Sequence, residues 1–483
     1  MQAVANVPLV VDLDGTLTPT DTLVESVVHL VKSAPTCALK LPFWLLGGKA
    51  AFKAAIARHA NFAPQNLPLR EPLVAYLQEE KARGRKIVLA TAAHRSIADR
   101  VAQQVGVFDV VLATEEGLNL KGKNKLELIQ LRLGKEFVYA GDSSADLPIW
   151  DAAQAAVLVG VSPEVAASVG KKVPIEREFS NEAAGFSMWL RALRVHQWMK
   201  NLLLFVPVLT AFSFIGPTTF LTLLLGFFAF SFAASATYMV NDLWDLENDR
   251  AHPRKKSRPF ASARLPILNG VAMAGMLLAA ALVMASVVSL KFFLMLLLYL
   301  VLTSAYSWVL KQYVLIDVLM LSLLYTLRIV AGSVAIGVMT SSWLLAFSVF
   351  FFLSLALVKR CSELVVQDNG GKSATRGRDY RVKDLVVLWP LGVGSALCAV
   401  VVFGLFINAP STHVSYATPE LLWLVALCLI YWIARLWIKT SRGEMHDDPV
   451  VYAIKNRGSR ITVAAMIVLL LLAQFVDFWK FLL

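Results

Sequence analysis

Asn241-Asp242-Leu243-Trp244-Asp245-Leu246-Glu247-Asn248-Asp249 closes a long apolar run, Phe220 to Val240, and opens onto a very basic loop. On a continuous helix Asp242, Asp245 and Asp249 stand at i, i+3 and i+7, so three carboxylates project from one face. Charged side chains at the mouth of a membrane span are costly and read as functional by default. Clustered carboxylates repel one another unless a cation neutralises them, and hard oxygen donors favour Mg²⁺. The stretch predicts a Mg²⁺–diphosphate site facing the membrane interface. A solvated acidic helix end is the bland alternative. The membrane-edge setting tells against it, as do Arg250, Arg254, Lys255, Lys256, Arg258 and Arg264, which follow at once.

The composition agrees with a membrane setting. The chain has 483 residues, is 57% hydrophobic and 17% charged, and its mean hydropathy is +0.62. Apolar content that high points to a membrane protein rather than two or three soluble domains. It is not uniform: residues 1 to about 180 read as an ordinary α/β domain, and the rest as successive spans of roughly 20 residues. The formal net charge of +12 is concentrated in loops between spans, as the positive-inside rule predicts, so nucleic acid is not an expected partner. Cys37, Cys361, Cys398 and Cys428 show neither metal nor disulfide spacing, which fits a reduced compartment. No signal peptide precedes the first strand.

In the first part, Pro8 to Leu13 is a short apolar strand ending in Asp12-Leu13-Asp14-Gly15-Thr16. Lys86 to Ala90 ends in Thr91, Gly122-Lys123-Asn124-Lys125 precedes a helix, and Phe137 to Ala140 ends in Gly141-Asp142-Ser143-Ser144-Ala145-Asp146. Strands ending in polar loops with helices between them describe a parallel α/β sheet, whose site lies at the strands' carboxyl ends. Asp12, Asp14, Thr91, Lys125, Asp142 and Asp146 would gather there. With four motifs in order over about 150 residues, this part resembles the haloacid dehalogenase (HAD) superfamily. The resemblance implies a Rossmannoid parallel sheet with a small helical cap, and a phosphatase. Asp12 would be the nucleophile, Asp14 the general acid–base, Thr91 and Lys125 phosphoryl holders, and Asp12, Asp142 and Asp146 the Mg²⁺ ligands. Lys123 competes with Lys125 for the lysine role, and the Gly-x-x-Lys spacing favours Lys125. Residues 22–80 are long enough for the cap. Its apolar and basic content (Leu41 to Leu46, then Lys49, Lys53 and Arg58) suits either a packed core or a face resting on a membrane or on the second domain. A degenerate docking domain is the competing reading, although no motif residue is missing.

Periodicity is lost over 161–185, which places a boundary there: a phosphatase-like domain over 1–175, a linker and interfacial helix over 176–200, and an all-α polytopic domain over 201–483. Trp189, Leu193 and Trp198 beside Arg191, Arg194 and Lys200 suit an interface. Nine spans are expected, near 202–216, 219–240, 268–289, 292–310, 314–336, 342–358, 386–407, 419–438 and 461–481. Loops after spans two, four, six and eight hold nearly all the Lys and Arg, so the N-terminal domain and every candidate site residue are expected on the cytoplasmic side of a bacterial-type inner membrane.

The NDxxDxxxD stretch, the nine spans and Arg194-Val-His-Gln-Trp-Met-Lys-Asn201 together resemble the UbiA superfamily of intramembrane transferases, from about residue 190 onward. Most members move a prenyl chain from a diphosphate to an aromatic acceptor and carry a second aspartate cluster after span six. Here that loop reads Lys359-Arg360-Cys361-Ser362-Glu363-Leu364, with Asp368, then Arg376-Gly377-Arg378-Asp379-Tyr380. Lys and Arg opposite a carboxylate cluster suit one Mg²⁺–diphosphate and one bare phosphate. The QWxKN stretch, the KRxxEL loop and Asp447-Asp448-Pro449 look most like the polyprenyl-phosphate phosphoribosyltransferase branch (decaprenyl-phosphate phosphoribosyltransferase type). That branch moves 5-phosphoribose from phosphoribosyl diphosphate (PRPP) to a lipid phosphate. The resemblance implies Mg²⁺ on Asp242, Asp245 and Asp249, with Asn241, Lys200, Arg258, Lys359 and Arg360 on the substrates.

Tyr306 and Lys311 could contact the donor, Lys311 being equally an interfacial anchor. Asp317 and Arg328 within span five are costly in lipid, and are expected to face the cavity or to pair with other groups. Glu363 either ligates metal or pairs with Arg360, and Asp447 and Asp448 suit a helix cap better than a ligand role. Transfer of a prenyl chain to an aromatic or isoprenoid acceptor is the second reading, against which the basic loop tells. A transporter or scaffold with a docked soluble domain is a third reading, and the sequence lacks the internal repeat and broken-helix pairs expected of transporters. Expected partners are a polyprenyl phosphate, PRPP or a prenyl diphosphate, and the bilayer; a homo-oligomer is compatible with the sequence.

Overall fold

Leu9-Val10-Val11 is apolar on both faces, the composition of a strand covered on both sides of a parallel sheet. In the computed structural model it is β1 (Leu9–Val11), at the centre of a six-stranded sheet. The other strands are β2 (Ile87–His94), β3 (Val110–Thr114), β4 (Val138–Gly141), β5 (Ala155–Val159) and β6 (Ile175–Phe179), in the order β3-β2-β1-β4-β5-β6. Every pairing is parallel. The strand order reverses beside β1, where such sheets leave a crevice at the carboxyl ends. The structure describes residues 7–60, 66–115, 120–180, 185–211, 216–253, 255–369, 378–445 and 449–477.

The chain divides into two compact units: Met1–Arg194 with Tyr238–Met276, and Val195–Thr237 with Leu277–Leu483. The division differs from the boundary expected near 176–200, because the acidic stretch 241–249 belongs to the unit that holds the sheet. The expected linker also begins inside the sheet: β6 pairs with β5 through Phe179. Its sequence, IEREF, is mostly exposed, so an edge strand here lacks the apolar signature that marks the others.

Between β1 and β2 stands the cap, whose main helices are α1 (Thr22–Ser33) and α2 (Lys49–Ala60). Asp21 caps α1, its Oδ1 accepting from the Leu23 and Val24 amides at 2.8 and 3.3 Å. Helix α3 (Lys123–Leu133) starts after Gly122 and precedes β4.

Beyond the sheet the chain is helical, and among the described residues eight helices are long and apolar enough to cross a membrane. They are α4 (Pro217–Trp244), then, after the short α5 (Leu246–Ala251), α6 (Ile267–Val288), α7 (Leu290–Trp308), α8 (Ile316–Ile336), α9 (Ser342–Asn369), α10 (Leu385–Ile407), α11 (Leu422–Ser441) and α12 (Arg457–Phe475). A helix pairs most of its own backbone groups, which is what a lipid environment requires. The segment expected as a first span, 202–216, has no α-helix of spanning length among the described residues: Val195–Phe205 winds as a 3-10 helix and Val206–Ala211 as one short α-helix. The 3-10 stretch that leads into it is anchored sideways by polar contacts. Trp198 Nε1 donates to Ser235 Oγ at 2.9 Å and Asn201 Nδ2 to Ser231 Oγ at 3.0 Å.

Helix α8 packs deeply within the second unit, with both ionisable residues expected there, Asp317 and Arg328, buried. Close approach explains Gly332: a Cβ there would lie 2.1 Å from the Leu204 carbonyl oxygen. Only glycine lets the two backbones meet.

Candidate functional sites

In the first unit, the ends of β1 and β4 and the start of α3 bring four of the expected side chains together. Lys125 Nζ lies 2.7 Å from Asp12 Oδ2 and donates to Tyr139 Oη at 3.1 Å, and Tyr139 Oη donates to Asp146 Oδ1 at 2.9 Å. Lys123 is exposed, whereas Lys125 is buried. Burial works against the Lys125 cation, but the Asp12 and Asp146 charges outweigh it and its pKa is raised. The Asp146 carboxylate also accepts from the Asp142 and Ser143 amides at 3.2 and 3.3 Å. The turn after Asp12 depends on Gly15, whose φ is +78° and whose absent Cβ would fall 2.2 Å from Asp142 Oδ2.

Asp14 accepts from the Thr22 amide at 2.8 Å. Burial, with the nearby Asp21 and Asp12 charges, pushes its pKa up to about 7, the range in which a carboxyl group can both give and take a proton near neutrality. Thr91 lies directly before the residues that wall the site. It is fully buried, its Oγ1 accepts from the Ala93 amide at 3.0 Å, and the cavity wall there is Ala92, Ala93 and His94.

Ligand oxygens of Asp12, Asp142 and Asp146 lie within 4.8 Å of one another. Burial and the Asp146 and Asp12 charges raise the Asp142 pKa to about 7. Burial and Asp12 raise that of Asp146. Three crowded carboxylates, Asp12, Asp142 and Asp146, form a donor set that a hard divalent cation fits.

The acidic stretch is arranged otherwise than a single helix predicts. Helix α4 stops at Trp244, Asp245 turns at φ −94° and ψ 12°, and Asp249 stands on α5. Arginines join the carboxylates: Arg258 Nη1 donates to Asp242 Oδ1 at 3.0 Å and to Asp249 Oδ2 at 2.6 Å, and Arg194 Nη2 to Asp242 Oδ1 at 2.6 Å. Arg194 holds φ 51°, a left-handed conformation uncommon for a large side chain. Asp242, Asp245 and Asp249 are not drawn as close as Asp12, Asp142 and Asp146. One feature still fits a cation: Asp249 Oδ1 is buried with no hydrogen-bond partner among the described residues, and Lys255 Nζ is 3.8 Å away. Asn241 is half-buried on the same turn. Arg254 lies outside the described residues.

In the second unit, Lys200 and Lys359 line one small recess with Leu321, Tyr325, Leu355 and Ala356. The Lys200 ammonium stands 5.6 Å from the Tyr325 ring centre. Lys200 also borders an apolar cleft of about 370 Å³ walled by side chains such as Phe351, Phe352 and Trp432. A second apolar cavity, about 440 Å³, shares Val206, Leu429, Val463 and Met466 with it.

Arg360 and Arg328 are committed elsewhere. Arg360, fully buried, pairs with Asp317 (2.6 Å) and with Glu363, and stacks on the Tyr380 ring. Tyr306 Oη donates to Asp317 at 2.8 Å, and Arg378 Nη1 stands 3.4 Å from Glu363. Arg328 donates to Asn201 Oδ1 at 2.9 Å and to Tyr299 Oη at 3.0 Å, and lies over the Tyr299 and Tyr325 rings. Lys311 sits in the turn Leu310–Gln312. Arg376, Asp447 and Asp448 lie outside the described residues.

Sequence reasoning missed Tyr139, Arg194 as a partner of Asp242, and Lys53, which enters the phosphatase-like cavity from α2. Tyr139 was discoverable as the one polar tip inside an otherwise apolar strand.

Comparison with known proteins agrees with both halves. The model of the UbiA prenyltransferase family matches residues 202–458, and that of the haloacid dehalogenase-like hydrolases matches residues 9–150. Protein y4nM of Sinorhizobium fredii is 39% identical over 94% of this chain and 88% of its own length. Nodulation protein NoeC of Azorhizobium caulinodans is 35% identical over 58% of this chain and 91% of its own. Decaprenyl-phosphate phosphoribosyltransferase of Mycolicibacterium smegmatis is 28% identical over 58% of this chain and 89% of its own.

Proposed function

Because the chain belongs to the UbiA prenyltransferase family and carries a HAD-like domain on the same polypeptide, we propose that it catalyses two successive reactions on one lipid. The first transfers 5-phosphoribose from PRPP to a polyprenyl phosphate. The second removes the 5′-phosphate. The observation that carries the first is the pair of lysines, Lys200 and Lys359, in one recess beside an apolar cleft. Two cations next to apolar walls suit a lipid whose head is a phosphate, and do not suit an uncharged aromatic acceptor.

In this reading Lys200 and Lys359 hold the acceptor phosphate, one of whose oxygens forms a bond to the anomeric carbon as the bond to diphosphate breaks. Asp242, Asp245 and Asp249 would hold Mg²⁺, which supplies charge neutralisation to the diphosphate. Arg194 and Arg258 exchange their carboxylate partners for diphosphate oxygens. Positioning and electrostatics do most of the work. Arg360, Asp317, Glu363, Tyr306 and Arg378 form the charged frame that supports Lys359, and Arg328 supports Asn201.

In the second reaction the Asp12 carboxylate attacks phosphorus while Asp14 protonates the departing sugar hydroxyl. Asp14 then takes a proton from the water that hydrolyses the acyl-phosphate. Lys125 neutralises the transferring phosphoryl group, and Asp12, Asp142 and Asp146 would hold Mg²⁺. One chain carrying both activities raises the effective concentration of the intermediate, to roughly millimolar for a short flexible link. The Lys and Arg of 255–264 and 439–460 support a cytoplasmic face for both.

The test is reconstitution of the whole chain with Mg²⁺, labelled PRPP and polyprenyl phosphate. A labelled ribosyl lipid without the 5′-phosphate is expected. Transfer of a prenyl group from a prenyl diphosphate to an aromatic acceptor, with no label from PRPP entering lipid, would overturn the reading.

A further inference from the structure

The cavity over Asp12 measures about 450 Å³, far more than a phosphoryl group fills. Lys125 is committed at its floor to Asp12 and Tyr139. Two further lysines line the same cavity, Lys53 from α2 and Lys121 from the segment before α3, with His94 beside them. Lys53 Nζ donates to the Ala92 carbonyl at 2.6 Å. That bond fixes a cap-borne cation against the carboxyl end of β2, one residue beyond Thr91. Burial lowers the Lys53 pKa, and the Lys121 and Lys125 charges add to that, against the opposing pull of Asp14 and Asp21. Five carboxylates line the cavity too, Asp12, Asp14, Asp21, Asp142 and Asp146, and Asp12, Asp142 and Asp146 form the donor set for a cation. Lys53 and Lys121 enter from outside the Lys125–Asp12 contact and give the cavity two cations that the phosphoryl group on Asp12 does not use.

We propose that Lys53, together with Lys121, forms a subsite for a second anionic group, so that the domain selects phosphomonoesters bearing another phosphate or phosphodiester. This rests on the phosphatase reading of residues 9–150 and gives that site its substrate class. For the lipid product proposed above, the second group is the phosphodiester that joins the sugar to the prenyl chain. Lys53 touches substrate away from the scissile bond, so it sets affinity and selection rather than the chemical step. The competing role is structural: Lys53 would merely offset the Asp14 and Asp21 charges, and its loss would then affect every substrate alike.

The experiment compares ribose 5-phosphate with its 1-(methyl phosphate) diester, which keeps the scissile phosphate and adds one negative charge. The full-length protein in detergent with Mg²⁺ is assayed as wild type, Lys53→Met and Lys53→Arg. Wild type is expected to favour the diester in kcat/KM by at least about tenfold, the effect of one hydrogen bond to a charged group, with the gap in KM. Lys53→Met should bring the ratio close to one, and Lys53→Arg should keep most of it. No preference in wild type, or a proportional loss on both substrates in Lys53→Met, overturns the subsite. Failure of wild type to hydrolyse any phosphomonoester faster than Asp12→Asn removes the phosphatase reading, and the subsite with it.

Discussion

Arg250 and Glu25 form a doubly bonded ion pair, Nη1 to Oε2 at 3.0 Å and Nη2 to Oε1 at 2.6 Å, with both side chains buried. Glu25 belongs to α1 and Arg250 directly follows Asp249 on α5. His29 Nδ1, one turn further along α1, meets Glu247 Oε1 at 2.6 Å. The helix carrying one carboxylate of the acidic stretch is thus seated on the first cap helix of the phosphatase-like domain. That same helix begins at Thr22, whose amide holds Asp14. Removing one partner of a buried pair leaves an uncompensated charge, at a cost of about 3–5 kcal/mol. Arg250→Met should therefore lower the unfolding temperature of the detergent-solubilised protein sharply, while Arg250→Met with Glu25→Leu should recover most of the loss. Equal losses in the single and double variants would show that the pair carries no coupling.

Arg360 and Lys359 are neighbours in sequence with opposite surroundings. Arg360 is buried against Asp317 and Glu363, whereas Lys359 lines the recess with Lys200. Arg360→Met should destabilise the protein by about 3–5 kcal/mol through the orphaned Asp317. Lys359→Ala should leave the unfolding temperature within a degree or two and raise the KM for polyprenyl phosphate by about tenfold or more. The reverse pattern, an unstable Lys359→Ala and an active, stable Arg360→Met, would reject the assignment.

Asp242 and Asp249 share Arg258, and Asp245 lies at the break between α4 and α5. Asp245→Ala breaks no ion pair among the described residues, so its effect reads the chemistry more cleanly than Asp242→Ala, which also releases Arg194. Transfer from PRPP should fall by about 100-fold or more in Asp245→Ala with unchanged thermal stability. Chelation of divalent metal should reproduce the loss in wild type. Normal turnover under either condition would dismiss the metal role.

Glu176 ties the edge strand β6 to the sheet: Tyr76 Oη donates to it at 2.6 Å, and Arg85 Nη2 at 3.1 Å. Burial would raise its pKa, but the Arg85 and Tyr76 hydrogen bonds outweigh it and the pKa lies below the ordinary value of 4.5. A carboxylate whose folded pKa is depressed contributes stability above its unfolded pKa and loses it as pH falls through the folded one. The unfolding temperature should thus drop as pH falls below about 4.5, and Glu176→Gln should flatten that slope. An unchanged slope in the variant would assign the acid sensitivity to other groups.

What could be read from sequence follows from how local each signal is. Asp12, Asp14, Lys125, Asp142 and Asp146 each close a short strand or open a helix, so their order along the chain already implied one sheet edge. Helices α6 to α12 announced themselves by length and apolarity. Arg250 and Glu25 stand 225 residues apart, and no pattern within either segment points to the other. Strand β6 escaped because an exposed edge strand need not be apolar, and 202–211 because side-chain anchors at Trp198 and Asn201, rather than helical periodicity, hold the chain there. The break at Asp245 was equally invisible: the spacing of the aspartates fits a helix, yet α4 ends one residue earlier.

The contact of Lys125 with Asp12, 2.7 Å and buried, gives the final prediction its form. Asn in place of Asp12 keeps the shape and the Leu13 amide's hydrogen-bond acceptor, but removes the proposed nucleophile and the charge that Lys125 meets. Phosphomonoester hydrolysis should fall on the order of 10³-fold or more. Transfer to the lipid needs none of these groups, so Asp12→Asn should accumulate a labelled lipid that still carries the 5′-phosphate, at the wild-type initial rate. Lys125→Met should give the same lipid product, because it disables the same site from the other side of the contact. Lipid extraction followed by mass spectrometry separates the two products by the mass of one phosphate. Identical lipids from wild type and both variants would uncouple the two activities and leave the phosphatase-like domain with a substrate of its own.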